Sequence, residues 1–138
     1  MGALIGLLLT LATTTPPATH VAAKAPVFLQ TSAEDDVGAM YVDKLRDALE
    51  SSPSYKRVMA PNDAQFVIGI VTMDPNDAEL GSGAGTSTVA AVTLQLENTK
   101  GLNYMVYSWV LVANRAKVDS LATELFAAID KEIQDVSR

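Results

Sequence analysis

The chain has 138 residues, with 16 acidic and 10 basic side chains, for a net charge of −6. The basic residues are scattered, whereas neutralising nucleic-acid phosphates needs clustered Lys and Arg, so nucleic acid is excluded as an expected partner. The chain has no cysteine, which excludes disulfides, thiol catalysis and lipid attachment through cysteine. Its length fits one domain with a core of its own, without metal or disulfide support.

The first 23 residues contain no Asp, Glu, Lys or Arg. The apolar run Ala3–Ala12 is short of the ~20 residues that a membrane-spanning helix needs. The small residues of Val21–Ala23 suit signal peptidase cleavage before Lys24, and Ala23–Ala25 offers a second site. We therefore expect residues 1–23 to be a signal peptide with its processing region, and residues 24–138 to be a single domain. The alternatives are a disordered apolar N-terminus or an uncleaved anchor.

A strand and a helix are predicted directly after this boundary. Ala25–Gln30 has the composition of a short strand, and Pro26 suits its beginning. Ser32 is the predicted N-cap of a helix that runs to about Ser51, with acidic residues in its first turn where the helix dipole favours them. The apolar positions of this helix recur along one side at Val37, Met40, Tyr41, Leu45, Ala48 and Leu49.

Two further strands are predicted before the middle of the chain. Tyr55–Met59 is a short strand, and Pro61–Ala64 forms a turn or one loose helical turn. Gln65–Met73 is almost continuously apolar and β-branched, which predicts a strand with cover on both faces or a central position in the sheet. Gly69 within this strand indicates a bulge or a close backbone approach.

The second half of the chain is predicted to form a long hairpin and a second helix. Residues 74–86 contain several glycines and predict a hairpin loop. Ser87–Glu97 alternates apolar and polar side chains, which is typical of a half-buried strand. Leu102–Ala113 predicts a long strand that is apolar on both faces. Asn114–Val136 predicts a helix with apolar residues at three- and four-residue steps.

The order β-α-β-β-β-β-α predicts an α+β fold. Each helix has one apolar stripe, which must be buried against another element. We expect a two-layer sandwich in which one mixed, mostly antiparallel sheet of about five strands carries both helices on one face.

The glycine-rich loop is the first candidate site. Phosphate-binding loops lead from a strand into a helix and contain a Walker lysine, whereas this segment leads into a strand and has none. Its closely spaced oxygen ligands resemble a calcium loop, but Ala78 breaks the EF-hand spacing. A solvated hairpin loop is the preferred interpretation, and the ligand candidates are Asp74, Asp77, Glu79, Gly81, Gly83 and Gly85.

The strand Leu102–Ala113 is the second candidate site. Because both of its faces are mostly apolar, the strand is either central or has one face that meets a partner. Simple alternation places Tyr104 on one face, and Tyr107 and Trp109 on the other. These three aromatic residues are the predicted partner-binding residues.

Three consecutive segments form a pattern that resembles a known family. They are the segment Tyr55–Met59, the turn Asn62–Ala64 and the strand Gln65–Val71. The succession is similar to the amino-terminal domain of the TolB translocation protein and to envelope proteins of the curli-secretion lipoprotein type. Those families have an Ala-Asp pair before the hydrophobic stretch, whereas here Gln65 follows Ala64. The resemblance covers roughly residues 25–136, and it implies a non-enzymatic envelope module that binds protein or stabilises an assembly.

These observations predict a function without catalysis. The only histidine, His20, lies in the predicted signal region, so histidine-based and thiol mechanisms are both excluded and no enzyme activity, cofactor or metal is expected. Absence of cystines fits a bacterial envelope better than a eukaryotic secretory product. We expect a periplasmic or secreted protein of a Gram-negative bacterium that binds a protein partner or self-associates. The alternative is small-molecule or ion binding by the loop 74–87.

Overall fold

The computed structural model describes residues 23–76, 85–97 and 103–138. The predicted signal region lies outside this part of the chain, except for Ala23. The described residues contain two helices, five strands and two short 3₁₀ turns, in the predicted order. The helices and strands are β1 (Ala25–Ala33), α1 (Asp36–Ser51), β2 (Tyr55–Val58), β3 (Phe66–Met73), β4 (Ser87–Glu97), β5 (Asn103–Asn114) and α2 (Val118–Val136).

The five strands form one mixed sheet in the order β2-β1-β3-β4-β5. β1 runs parallel to β2 and β3, whereas β4 is antiparallel to both β3 and β5. This arrangement confirms the predicted α+β sandwich with one mixed sheet and two helices. It also makes β3 the central strand, which is one of the two alternatives that its apolar sequence predicted, and leaves β2 and β5 at the two edges.

Both helices pack on the same face of the sheet, called the helix face below. The pairing register places Val27 beside Phe66 and Phe66 beside Leu96, so these residues point to one side of the sheet. Tyr41 and Ile129 from the two helices join them in the hydrophobic core. Full burial of each such side chain contributes about 1.5–3 kcal/mol, so the helix face supplies most of the stabilising burial.

The start of α1 differs from its prediction. β1 continues past Ser32, so Ser32 lies in a strand, and Asp35 is the N-cap instead. Oδ1 of Asp35 accepts a hydrogen bond from the Gly38 amide (2.6 Å), and Oδ2 accepts one from the Thr88 hydroxyl (2.8 Å). One carboxylate therefore caps the helix and ties its first turn to β4, which no local pattern around Ser32 could show.

α1 lies unusually close to the sheet at Gly38. A Cβ atom added at Gly38 would lie 1.9 Å from the hydroxyl oxygen of Thr72 and 2.6 Å from its Cβ. Thr72 is fully buried on the helix face of β3. Glycine is required here because any other side chain would push the first turn of α1 away from the sheet.

Two buried tyrosines connect α2 to the rest of the fold. The Tyr41 hydroxyl on α1 donates to the backbone oxygen of Leu121 (3.4 Å). The Tyr55 hydroxyl on β2 donates to the Asp130 carboxylate, and the Tyr55 ring meets Phe126 edge-on. Burial raises the pKa of both tyrosines well above the usual range, with Glu124 contributing at Tyr41 and Asp130 at Tyr55.

Replacing Gly38 with Ala tests the close approach of α1 to the sheet. Helix propensity alone favours Ala by about 1 kcal/mol. We expect the steric conflict with Thr72 to outweigh this gain, so that Gly38→Ala lowers the free energy of unfolding by about 1–3 kcal/mol in urea titrations. Adding Thr72→Ala should restore part of the loss. A stabilising Gly38→Ala would show that the close approach is wrong.

Alkaline pH tests the two buried tyrosines. Because their pKa values are raised in the folded state, their contribution to stability is complete below the unfolded pKa of about 10 and is lost as pH rises above it. Each tyrosine lowers the free energy of unfolding by at most about 1.4 kcal/mol per pH unit in that window. Urea titrations across this range should show a shallower decline for Tyr41→Phe. An unchanged slope would contradict the role of Tyr41.

Candidate partner-binding surface

The structure places only part of the glycine-rich loop within its described residues. Asp74 and Gly85 are described, whereas Asp77, Glu79, Gly81 and Gly83 lie outside them. The carboxylate of Asp74 accepts hydrogen bonds from the amides of Asn76 (2.8 Å) and Gly85 (2.5 Å). These backbone bonds lower the pKa of Asp74, that from Gly85 having the larger effect. Asp74 therefore uses its carboxylate oxygen atoms to close the base of the hairpin loop. A ligand bound by Asp74 would need the same atoms.

β5 forms an edge of the sheet, so the alternative of a central strand is wrong. Its pairing with β4 is also interrupted, because Tyr107 lies opposite Leu94 whereas Met105 lies opposite the next residue, Gln95. One residue of β5 is thus inserted as a bulge, and side-chain alternation changes face at that point. Tyr104 consequently lies on the helix face.

The bulge brings the three predicted aromatic residues to one face, whereas simple alternation separated Tyr104 from the other two. The rings of Tyr107 and Trp109 are in contact, with centroids 4.7 Å apart and planes tilted by 38°. Trp109 is half-buried beside α2, but Tyr104 and Tyr107 remain 55% and 45% exposed. The two helices are too few to cover this edge of a five-stranded sheet.

Tyr104, Tyr107 and Trp109 are called the aromatic strip below. A shallow cleft lies between this strip and α2. It has a volume of about 200 Å³, and Trp109 and Leu111 from β5 form one wall. Leu121, Leu125 and Glu124 from α2 form the other wall. The cleft continues the apolar surface of β5 onto the helix, so both elements are accessible to one partner.

The opposite side of the sheet, called the open face below, is not covered by either helix. Adjacent strands present exposed apolar side chains there, and Val110 (77%) and Val112 (64%) are the most exposed on the part of β5 after the bulge. Val71 and Met73 of β3 lie across Ala91 and Val89 of β4 from these two residues and extend the same patch, and Met105 is exposed on the same face before the bulge. Monomeric soluble proteins rarely expose contiguous apolar patches of more than a few hundred Å², and larger patches mark interaction sites.

A hollow of about 280 Å³ lies on the open face beside this patch. Gly69 forms its floor, and Gln30, Ser32, Thr93 and Gln95 contribute uncharged polar groups around it. The neighbouring strands pair with β3 without a shift at Gly69, so the predicted bulge is absent there. Gly69 instead allows the Thr93 side chain to approach β3 closely. A Cβ at Gly69 would lie 2.7 Å from the hydroxyl oxygen of Thr93.

The two edges of the sheet differ in their protection against pairing with another strand. β2 is four residues long and carries Lys56 and Arg57, and both features discourage edge pairing. β5 has twelve residues without a charge or a proline. Its backbone edge and both of its side-chain faces are therefore suited to contact with another polypeptide.

Sequence reasoning did not identify the open-face residues Val71, Met73, Val110 and Val112. Their strands were apolar throughout, and this composition is equally compatible with burial by a second layer of the same chain. The signal that could have found them is the number of helices, because two helices cover only one face of a sheet of this width.

Within residues 23–76, 85–97 and 103–138, no group of three or more His, Cys, Asp or Glu side chains is arranged to hold a metal ion. The only histidine of the sequence, His20, lies outside these residues. In the same part of the chain, no helix is both long enough and apolar enough to cross a membrane.

No family model and no curated protein matches the chain. Among solved structures, the protein XCC0632 from Xanthomonas campestris, of the DUF330 family, is similar over 94% of this chain and 97% of its own length, with 14% identity and a TM-score of 0.52. The hypothetical protein CT253 from Chlamydia trachomatis covers 80% of this chain and 96% of its own, with 13% identity and a TM-score of 0.45. The PelC dodecamer from Paraburkholderia phytofirmans covers 80% and 86%, with 17% identity and a TM-score of 0.44.

The comparison with the Xanthomonas protein shows what this chain is similar to at the level of the fold. The Xanthomonas protein shares the α+β architecture over almost the whole of both chains. At 14% identity this likeness shows the fold alone. The more specific resemblance to the TolB amino-terminal domain is not confirmed by any of the three structures.

The hydrogen bonds that Asp74 accepts should stabilise the base of the hairpin loop in a pH-dependent way. Because the pKa of Asp74 is lowered, its bonds are complete above the unfolded pKa of about 3.9 and are lost as pH falls through the folded value. In Asp74→Ala we expect the Gly85 amide to exchange its hydrogen about tenfold faster at neutral pH. The Glu97 amide, which donates to the Gln65 backbone oxygen, is the internal control. Equal exchange of Gly85 in both proteins would contradict this role of Asp74.

Proposed function

We propose that this protein is a non-catalytic binding module of the bacterial cell envelope that uses β5 and the open face to bind another polypeptide. The observation that carries the proposal is the exposure of β5. It is a long, uncharged edge strand whose side chains are apolar on both faces. Such a strand is a template for pairing with another chain unless something covers it.

The shape of the surface favours a polypeptide over a small molecule. Small-molecule sites are usually enclosed clefts of about 300–1,000 Å³. The hollow at Gly69 is just below that range and lies on an open sheet face. A hollow beside exposed apolar side chains is instead suited to one protruding side chain of a protein partner, as in the central pockets of protein interfaces.

Strand addition would combine two kinds of interaction at this surface. Backbone hydrogen bonds along β5 would supply affinity, and side chains on alternating positions would supply specificity. Tyr107 and Trp109 would contact the partner on the helix face, and Val110 and Val112 would contact it on the open face. Tyrosine and tryptophan are also the residues that most often dominate binding energy at interfaces.

The envelope location is supported by the sequence. The charge-free N-terminal region with its short apolar run is typical of an export signal. A cysteine-free domain that forms its own apolar core needs no disulfide in an oxidising compartment. We further propose that the protein has no enzymatic role, because its only histidine, His20, lies in the predicted signal region.

A lysine at Val110 tests the proposed function. Val110 is 77% exposed, so Val110→Lys should change the free energy of unfolding by less than about 0.5 kcal/mol. Its charge should nevertheless prevent strand pairing at β5. We expect purified Val110→Lys to capture at least about tenfold less partner protein from an envelope extract, counting untagged copies of the chain itself.

Met59→Lys is the matched control, because Met59 is 78% exposed and lies next to β2 at the opposite edge. This variant should capture the same proteins as the wild type, and circular dichroism should show that both variants are folded. The proposal would be overturned if Val110→Lys captured the same proteins in the same amounts as Met59→Lys.

A further inference from the structure

The unprotected edge of β5 can pair with another strand, and the identity of that strand is the subject of this inference. This inference rests on the proposed binding role of β5 and identifies its partner. We propose that β5 pairs antiparallel with β5 of a second copy, about a two-fold axis at Val110. Two five-stranded sheets then become one ten-stranded sheet with the four helices on the same face.

The charge distribution suits a second copy. The chain has a net charge of −6, so two copies repel each other wherever their acidic surfaces meet. β5 carries no charge, and its pairing places no like charges opposite each other. Such pairs directly across a strand ladder are destabilising. Of the two edges, β5 is therefore the one at which copies can approach, whereas pairing through β2 would bring Lys56 and Arg57 together.

The bulge of β5 determines the register. Residues 107–114 pair with β4 without interruption, whereas the pairing shifts directly before Tyr107. Symmetric pairing of two identical strands uses a regular ladder only if its centre lies near the middle of the uninterrupted segment, at Val110 or Leu111. Leu111 is half-buried and lines the cleft beside α2, whereas Val110 is 77% exposed. We therefore place the axis at Val110, which faces its own counterpart. A centre closer to Tyr107 would put the bulge into the new ladder.

This register places Tyr107 and Val112 opposite small side chains and brings Trp109 and Leu111 into apolar contact. On the helix face, Tyr107 lies opposite Ala113 of the other copy, and Trp109 lies opposite Leu111. On the open face, Val112 lies opposite Ser108, because residues that face each other in an antiparallel pair point to the same side. Each copy supplies both members of every pair, as a two-fold interface requires.

The available area predicts a weak dimer. The exposed apolar side chains within the ladder are Tyr107, Val110 and Val112, and covering them in two copies would bury roughly 500 Å², taking about 150–250 Å² for a whole aromatic side chain and less for valine. Stable specific interfaces bury about 1,200–2,000 Å² in total, so even with the backbone ladder the dimer belongs to the small, transient class. We therefore expect association to depend on concentration.

Single cysteines provide the direct test, because the chain has none of its own. Directly opposed residues of an antiparallel pair have Cα atoms about 4.5–5.5 Å apart, and a disulfide accepts about 4.4–6.8 Å. Val110→Cys should therefore form an intermolecular disulfide under mild oxidation. Val112→Cys is also well exposed, but its two Cα atoms would be about 14 Å apart in this register. Met59→Cys reports random collision.

We expect Val110→Cys to cross-link at least about tenfold faster than Val112→Cys and Met59→Cys on non-reducing gels. Light scattering across a concentration series should show a wild-type dimer, with a dissociation constant roughly 10- to 100-fold higher for Val110→Lys and unchanged for Met59→Lys. Faster cross-linking of Val112→Cys than of Val110→Cys would overturn the axis at Val110.

A monomeric wild type, together with equally slow cross-linking of all three cysteine variants, would overturn pairing with a second copy. If Val110→Lys still lost its captured protein in that case, the partner would be a different polypeptide and the proposed function would stand. If Val110→Lys lost neither captured protein nor dimer, the proposed function and this inference would both fail.

Discussion

The packing of both helices against one face of the sheet is the constraint on which the rest of the structure depends. It requires a close approach at Gly38, where α1 lies against Thr72, and it buries Tyr41 and Tyr55 against α2. The same arrangement leaves Val71, Met73, Val110 and Val112 exposed on the open face. Because each helix has a single apolar stripe, neither can cover the second face, and the exposed side chains around Val110 follow directly from this geometry.

The edge position of β5 gives this exposed surface its specific character. An apolar strand in the centre of the sheet would contact neighbours on both sides, as β3 does. At the edge, the same composition exposes backbone groups as well as side chains. The bulge before Tyr107 then determines which side chains share a face and which part of the strand forms a regular ladder. One local irregularity thus affects both the aromatic strip and the register available for pairing.

The elements that could be predicted from the sequence were those with a strong local pattern. The boundaries of β4 match the prediction, because its alternation is clear and a glycine-rich loop precedes it. The continuous apolar composition of β3 predicted either cover on both faces or a central position, and the strand order shows the central position. The N-cap was misplaced at Ser32, because the residue that caps α1 is selected by its contact with Thr88, far away in the sequence. The glycine-rich loop was a weak candidate, and the described contacts of Asp74 give it a role within the hairpin.

The sequence by itself determined the order of elements, the α+β class and the aromatic residues of the candidate surface, because helix and strand periodicity are local properties. Only the tertiary structure decided that β5 is an edge strand and that Tyr104, Tyr107 and Trp109 share one face. It alone identified the open face and its exposed residues. Strand order and register depend on contacts between residues that are distant in the chain, and an apolar strand has the same sequence pattern whether the chain itself or another molecule covers it.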